Sequence, residues 1–133
     1  MSIANVKFLD IPKIPDERGN ISFLQNLDQI PFIIKKAYWI NDIPSGTDMV
    51  GQANREFQEI VIALSGCFDV VVNDGREEKI FSLNRPDVCL YIPQMIWQPF
   101  VKFSTNSVAF IVSDQEPDNT DNFVNFSKFQ ITG

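Results

Sequence analysis

The sequence predicts an all-β domain, a double-sheet jelly roll or a closed barrel, on three observations. About eight or nine short apolar runs, rich in β-branched and aromatic residues, are separated by Gly, Pro, Asn and Asp, at the spacing of sandwiches and barrels. Helical periodicity is nearly absent until the last twenty or so residues. Twelve Phe in 133 residues point to an aromatic core between sheets.

Taken in order, Asn5 to Leu9 reads as a first strand. Residues 11–15 carry Pro12 and Pro15, and each proline biases its predecessor away from helix, so the stretch reads as an extended connection. Asp16 to Asn20 is a turn, and Asn20 to Gln25 alternates polar and apolar residues like a half-buried strand. Phe32 to Ile40 is a second strong run, followed by a long loop from Asn41 to Val50 that holds Pro44, Ser45 and Gly46. The clearest pattern is central: residues 60–64 and 68–72 flank Ser65-Gly66-Cys67 and read as a β-hairpin. Asn73-Asp74-Gly75 closes the second run. Lys79 to Leu83, Val88 to Ile92, Trp97 to Phe103 and Ser107 to Val112 continue the series. The tail from Asp114 to Gly133 carries Phe123, Phe126 and Phe129, which suits one or two helical turns, a segment packed on the barrel or a swapped one.

A chain of this length is the size of one domain, residues 1–133. Its net charge of −6 argues against non-specific binding to nucleic acid or anionic membranes. No basic segment leads into an apolar one at the start, and no run approaches the ~20 residues of a membrane span; a cytoplasmic protein fits. Cys67 and Cys89 lack metal-type spacing and read as two buried reduced thiols. Asp114, Glu116, Asp118 and Asp121 lack the glycine and spacing of a calcium loop, so they read as a solvated acidic loop.

The stretch that bears on chemistry is Gly51 to Glu59. Gln52-x-Asn54, then Glu59, then Gly66 has the layout of the first cupin motif, in which two histidines and a glutamate converge from one barrel wall. Pro93-x-Met95-x-x-Gln98 has the spacing of the second motif, with Gln98 where a histidine is usual. The chain has no histidine at all. Gln52, Asn54 and Gln98 therefore stand at three positions expected to carry imidazole. With no histidine and no clustered cysteine, only amide and carboxylate oxygens remain, unsuited to tight Zn²⁺ or Fe²⁺ binding; no metal and no cofactor is expected.

Further strings extend the likeness: Asp16-Glu17-Arg18-Gly19, Lys35-Lys36-Ala37-Tyr38-Trp39-Ile40, Gln52-Ala53-Asn54-Arg55, Leu64-Ser65-Gly66-Cys67-Phe68 and Leu90-Tyr91-Ile92-Pro93 with Trp97-Gln98. In their order the chain resembles the sugar-nucleotide 3,4-ketoisomerases that act on TDP-4-keto-6-deoxyglucose, within the RmlC-like cupins. That family carries H-A-H-K at positions 52–55 and Trp-His at positions 97–98. The resemblance implies a cupin jelly roll (a double-stranded β-helix barrel) with a short helical or extended C-terminal tail. It also implies a homodimer and binding of a TDP-linked sugar without an obligatory metal. In the family the H-A-H pair shuffles a proton between C3 and C4 of the sugar.

Amides cannot do this, because they hydrogen-bond but do not exchange a proton at ordinary pH. Losing a general acid or base typically costs about 10²–10⁴-fold in rate. The family isomerisation is thus expected to be weak, altered or lost unless another group serves, Glu59 being the candidate substitute base. Arg18 and Arg55 are candidate phosphate-facing cations. Tyr38, Tyr91 and Trp97 are candidate ligand contacts. Two other functions stay open: a non-catalytic module that binds a carbohydrate or metabolite, and a structural subunit that pairs with an active homologue.

Overall fold

Alternation decides which way each strand faces. Residues 68–73 are buried at Phe68, Val70 and Val72 and half-buried between them, the period of two that a sheet with one covered face imposes. The computed structural model describes residues 3–25, 30–44, 57–94, 96 and 98–115. After a 3₁₀ turn at Ile3–Asn5 come β1 (Lys7–Asp10), β2 (Lys13–Asp16), β3 (Gly19–Ser22), β4 (Lys36–Ile40) and β5 (Glu59–Ser65). Then follow β6 (Phe68–Asn73), β7 (Glu78–Leu83), β8 (Val88–Ile92), β9 (Phe100–Val101) and β10 (Val108–Ser113). Among the described residues no helix is long and apolar enough to cross a membrane.

The strands form a five-stranded sheet in the order β1-β8-β5-β10-β4, a three-stranded sheet β7-β6-β9 and a ribbon β2-β3. The two larger sheets pack face to face, the jelly-roll arrangement the sequence predicts. Val61, Leu90 and Ile111 from one meet Val70, Val72 and Leu83 from the other in a single apolar cluster. Phe68 is fully buried there, with ring centroids 5.6 Å from Phe100 and 5.1 Å from Phe103. Burying one such side chain contributes about 1.5–3 kcal/mol. The aromatic core is thus present between the sheets. A second cluster lies on the outer face of the five-stranded sheet, with Ile60, Ile62, Cys89 and Val112 under Ile11, Ile30 and Phe32. β5 is therefore covered on both sides, which is why residues 60–63 read as an unbroken apolar run.

Several local expectations change. The predicted hairpin across Gly66 is absent: β5 pairs with β8 and β10, whereas β6 pairs with β7 and β9. Ser65-Gly66-Cys67 is a corner that carries the chain from one sheet to the other. Gly66 has φ +68°, and a Cβ there would stand 2.6 Å from Ser104 Oγ and 2.7 Å from Ser107 Oγ. The real hairpin is β6-β7, closed by Asn73 to Glu78. In its turn Asp74 Oδ1 accepts from the backbone N–H of Arg76 and Glu77 at 2.8 and 2.9 Å, an Asx turn.

Residues 13–16, expected as a connection, pair with β3 across Glu17 and Arg18; a two-stranded ribbon tolerates Pro15 because its outer edge needs no donor. The runs expected over 32–40 and 97–103 shrink to β4 and β9. Cys67 is exposed, not buried, because the corner turns it outward, while Cys89 is buried as expected. The C-terminal tail, with Phe123, Phe126 and Phe129, lies outside the described residues.

Candidate functional site

Glu59 opens β5 and shares its face with Val61 and Ala63, so it points between the sheets. The strand register sets Lys36, Ser113, Glu59 and Ile92 in one row across β4, β10, β5 and β8. The next row is Tyr38, Ile111, Val61 and Leu90. Polar side chains thus gather at one end of an otherwise apolar interior.

Glu59 is 1% exposed. A carboxylate is held there only with partners that replace water. Its Oε2 accepts from Tyr38 Oη at 2.9 Å, and its Oε1 accepts from Gln98 Nε2. Gln98 is itself buried, so the amide that replaces an expected imidazole is fixed on the carboxylate. The Lys36 ammonium lies 5.7 Å from the Tyr38 ring centroid and donates to Gln115 Oε1 at 3.1 Å. Desolvation lowers the Lys36 pKa, and the charge on Glu59 opposes that fall. Burial pushes the Tyr38 hydroxyl well above its ordinary value, with the charge of Glu59 and the hydrogen bond to it adding to the rise. Tyr38 therefore keeps its proton and donates it toward Glu59.

The arrangement offers a carboxylate, a phenol and an ammonium within one row or its neighbour, with the Gln98 amide against the carboxylate. Such a set can read hydroxyl and keto oxygens. It contains one carboxylate able to take up a proton.

The candidate residues divide by face. Glu59, Tyr38 and Gln98 come together. Tyr91 does not join them: it pairs with Ile60, on the outer face of the sheet. There its hydroxyl donates to Gln58 Oε1. Gln58 in turn donates through its backbone N and Nε2 to Asp114 at 2.7 and 3.0 Å. Burial and then the charge on Asp114 raise the Tyr91 pKa. Arg18 stands at the tip of the β2-β3 ribbon, its side chain 92% exposed and its Nε 3.5 Å from Asp16. Gln52, Asn54, Arg55 and Trp97 lie outside the described residues; in sequence, Asn54 precedes Glu59 by five residues. Among the described residues no three His, Cys, Asp or Glu side chains converge.

Sequence reasoning missed Lys36, Ser113 and Gln115. The signal for Lys36 was available, since Lys36, Tyr38 and Ile40 alternate along one strand and must share a face. Ser113 and Gln115 gave none, because their place follows from pairing with strands far away in the chain.

The family model described as FdtA, WxcM-like, C-terminal matches residues 4–132. A TDP-4-oxo-6-deoxy-alpha-D-glucose-3,4-oxoisomerase from Aneurinibacillus thermoaerophilus is 28% identical over 126 residues, 92% of this chain and 91% of its own length. Among solved structures, the WlaRB TDP-quinovose 3,4-ketoisomerase of Campylobacter jejuni matches at 31% identity with a TM-score of 0.84, covering 96% of this chain and 98% of its own. A histidine-to-asparagine variant of the 3,4-ketoisomerase QdtA from Thermoanaerobacterium thermosaccharolyticum, solved in complex with TDP-4-keto-6-deoxyglucose, matches at 25% identity with a TM-score of 0.83. It covers 96% of this chain and 94% of its own.

Proposed function

The chain belongs to the FdtA family of WxcM-like C-terminal domains, and from that premise we propose that it is a single domain that binds a TDP-linked keto sugar. The observation that carries this reading is the match to TDP-sugar ketoisomerases over nearly the whole chain. The buried Glu59–Tyr38–Gln98 cluster supports it, since a polar set at the end of an apolar interior suits a sugar's hydroxyl and keto oxygens. Gln52, Asn54 and Gln98 hold such oxygens where the family uses imidazole, and Arg18 or Arg55 meets the diphosphate. A relative with one histidine changed to asparagine is solved with TDP-4-keto-6-deoxyglucose, so in that protein one such exchange is compatible with binding.

Proton transfer is another matter. The chain has no histidine, so 3,4-ketoisomerisation is slowed by about 10²–10⁴-fold against a histidine-bearing site. The same lack of histidine favours a second reading, a binding module without turnover. A homodimer completes the first. Trp39, Leu64 and Phe23 are 62%, 47% and 40% exposed. Leu64 and Phe23 border a cavity of about 400 Å³ on the outer sheet face, and Trp39 stacks 6.4 Å from Phe110 in its wall. Soluble monomers seldom leave such a patch uncovered.

The test is thermal melting across TDP, UDP and GDP sugars, with NMR of any product. TDP sugars raise Tm, as ligands of the native state do, and TDP-4-keto-6-deoxyglucose turns over slowly. No shift with any TDP sugar at millimolar concentration sinks the reading. Binding with no turnover selects the module.

A further inference from the structure

A two-stranded ribbon beside a sheet ordinarily turns its apolar residues inward and its polar ones to water. The β2-β3 ribbon does the opposite. Its register pairs Lys13 with Ser22 and Pro15 with Asn20 on one face, and Ile14 with Ile21 on the other. Ile14 and Ile21 are 53% and 61% exposed. Lys13, Asn20 and Ser22 instead line a cavity of about 360 Å³, whose far wall carries Arg85 and Asp87.

The cavity holds more donors than acceptors. Arg85 donates through Nε and Nη2 to the two oxygens of Asp87, at 2.9 and 2.7 Å. Lys13 Nζ stands 3.5 Å from Asp87 Oδ2. One carboxylate thus faces two cations, in a chain whose net charge is −6. A guanidinium has N–H donors on more than one edge of its plane. Asp87 takes one edge of Arg85, which fixes the plane and leaves the other edge with its donors. The hydrogen bond to Asp87, and then its charge, raise the Arg85 pKa, with Asp10 adding less, so the pair stays ionised. Among the described residues neither the Asn20 amide nor the Ser22 hydroxyl makes a hydrogen bond. The parts are also held in place. The Ile11 N–H donates to the Asp87 carbonyl at 3.0 Å, which ties the approach to β2 to the connection that bears Arg85.

We propose that this cavity binds a phosphate group between the outer edge of Arg85, the Lys13 ammonium, the Asn20 amide and the Ser22 hydroxyl. Asp87 aims the guanidinium and is the one carboxylate of the lining that the anion must face. The donors come from two elements on different sides of the cavity, and a tetrahedral oxyanion offers oxygens in each of those directions, which a planar carboxylate does not. Ser22, Leu64 and Pro86 are shared with the apolar cavity beside Ile62 and Val112, so the site lies on the outer face of the five-stranded sheet. Glu59 faces the other way, between the sheets. The site therefore goes beyond the nucleotide-sugar reading, and failure of either leaves the other standing.

The experiment titrates inorganic phosphate into the full chain at constant ionic strength, with acetate as the comparison. Binding is followed by Tm and by the NMR signals of the Asn20 amide and the Arg85 Nε–H. Phosphate raises Tm saturably and shifts those signals, whereas acetate at the same concentration does neither. Arg85→Gln weakens binding by about tenfold or more, as loss of a charge-assisted contact implies. Asn20→Ala weakens it less, and Arg76→Gln, in the β6-β7 turn, leaves it unchanged. Arg85→Gln gives up an exposed ion pair, a kind that contributes little to folding. Should that variant still fail to fold, Asn20→Ala, at an exposed position, carries the test. Phenyl phosphate separates the two sources of the group. Tighter binding than inorganic phosphate assigns an organic ester whose body lies on Leu64 and Pro86, and equal or weaker binding assigns the free ion. The site is overturned by no saturable effect of phosphate, by equal binding of acetate, or by Arg85→Gln binding within about threefold of the unaltered protein.

Discussion

Glu59 is the residue on which the interior electrostatics turn. Its two oxygens accept from Tyr38 and Gln98, and its charge and hydrogen bond add to a rise in the tyrosine that burial chiefly causes. Tyr38, Tyr91 and Cys89 all have folded pKa values above their ordinary ones, the Cys89 thiol pushed up to about 11, in each case chiefly by burial. The sign follows from linkage. A group raised on folding leaves stability intact below its unfolded value, near pH 8.5 for Cys and about 10 for Tyr, and stability falls as pH climbs above that toward the folded value. The urea midpoint is therefore expected to hold up to about pH 8.5 and then to drop steadily through pH 11. Tyr38→Phe removes one contributor, so its midpoint falls less steeply over the same range. An equal slope in both proteins would show that Tyr38 is not raised.

At the scale of elements, the corner between β5 and β6 matters most. The sequence offers two apolar runs around a glycine, and local pattern makes that a hairpin. The structure instead spends the glycine on a change of sheet. Ser104 Oγ accepts from the Cys67 N–H at 2.9 Å, and Ser107 Oγ donates to the Ser104 carbonyl at 2.7 Å, so neither hydroxyl can swing away from a new methyl group. Gly66→Ala combines a left-handed φ with that clash and is expected to cost about 2 kcal/mol or more, read as a lowered urea midpoint. Gly75→Ala, at φ +93° with nothing within 4 Å of a Cβ, carries only the backbone part and makes the control. The strands themselves were largely legible, because β5 through β8 and β10 each hold an apolar run. β2 was hidden by Pro15 within it and Pro12 just before it, and β9 was overread because Phe103 is buried without being in a strand.

For the whole molecule, the outer sheet face carries the contact of the proposed dimer. Trp39 is the most exposed large apolar residue of that face. In the proposed dimer, Trp39→Glu places a charge in the interface and shifts the protein to monomer in analytical ultracentrifugation, with the inner core unchanged by circular dichroism. A protein that is already monomeric at micromolar concentration would dispose of the dimer.

The sequence by itself determined the all-β class, the aromatic core, the β6-β7 turn and the family, including the histidine-free character of its motifs. These depend on residue type and on spacings of two to six residues, which are local. It also singled out Glu59 and Gln98, although as separate positions on two motifs. Only the tertiary structure decided that they touch, with Tyr38 on the second oxygen and Lys36 and Ser113 in the same row. It likewise decided that Tyr91 turns to the other face. The reason is that a strand's partners lie anywhere in the chain: Glu59 meets Gln98 across thirty-nine residues, and no local pattern encodes which distant strand will lie beside it.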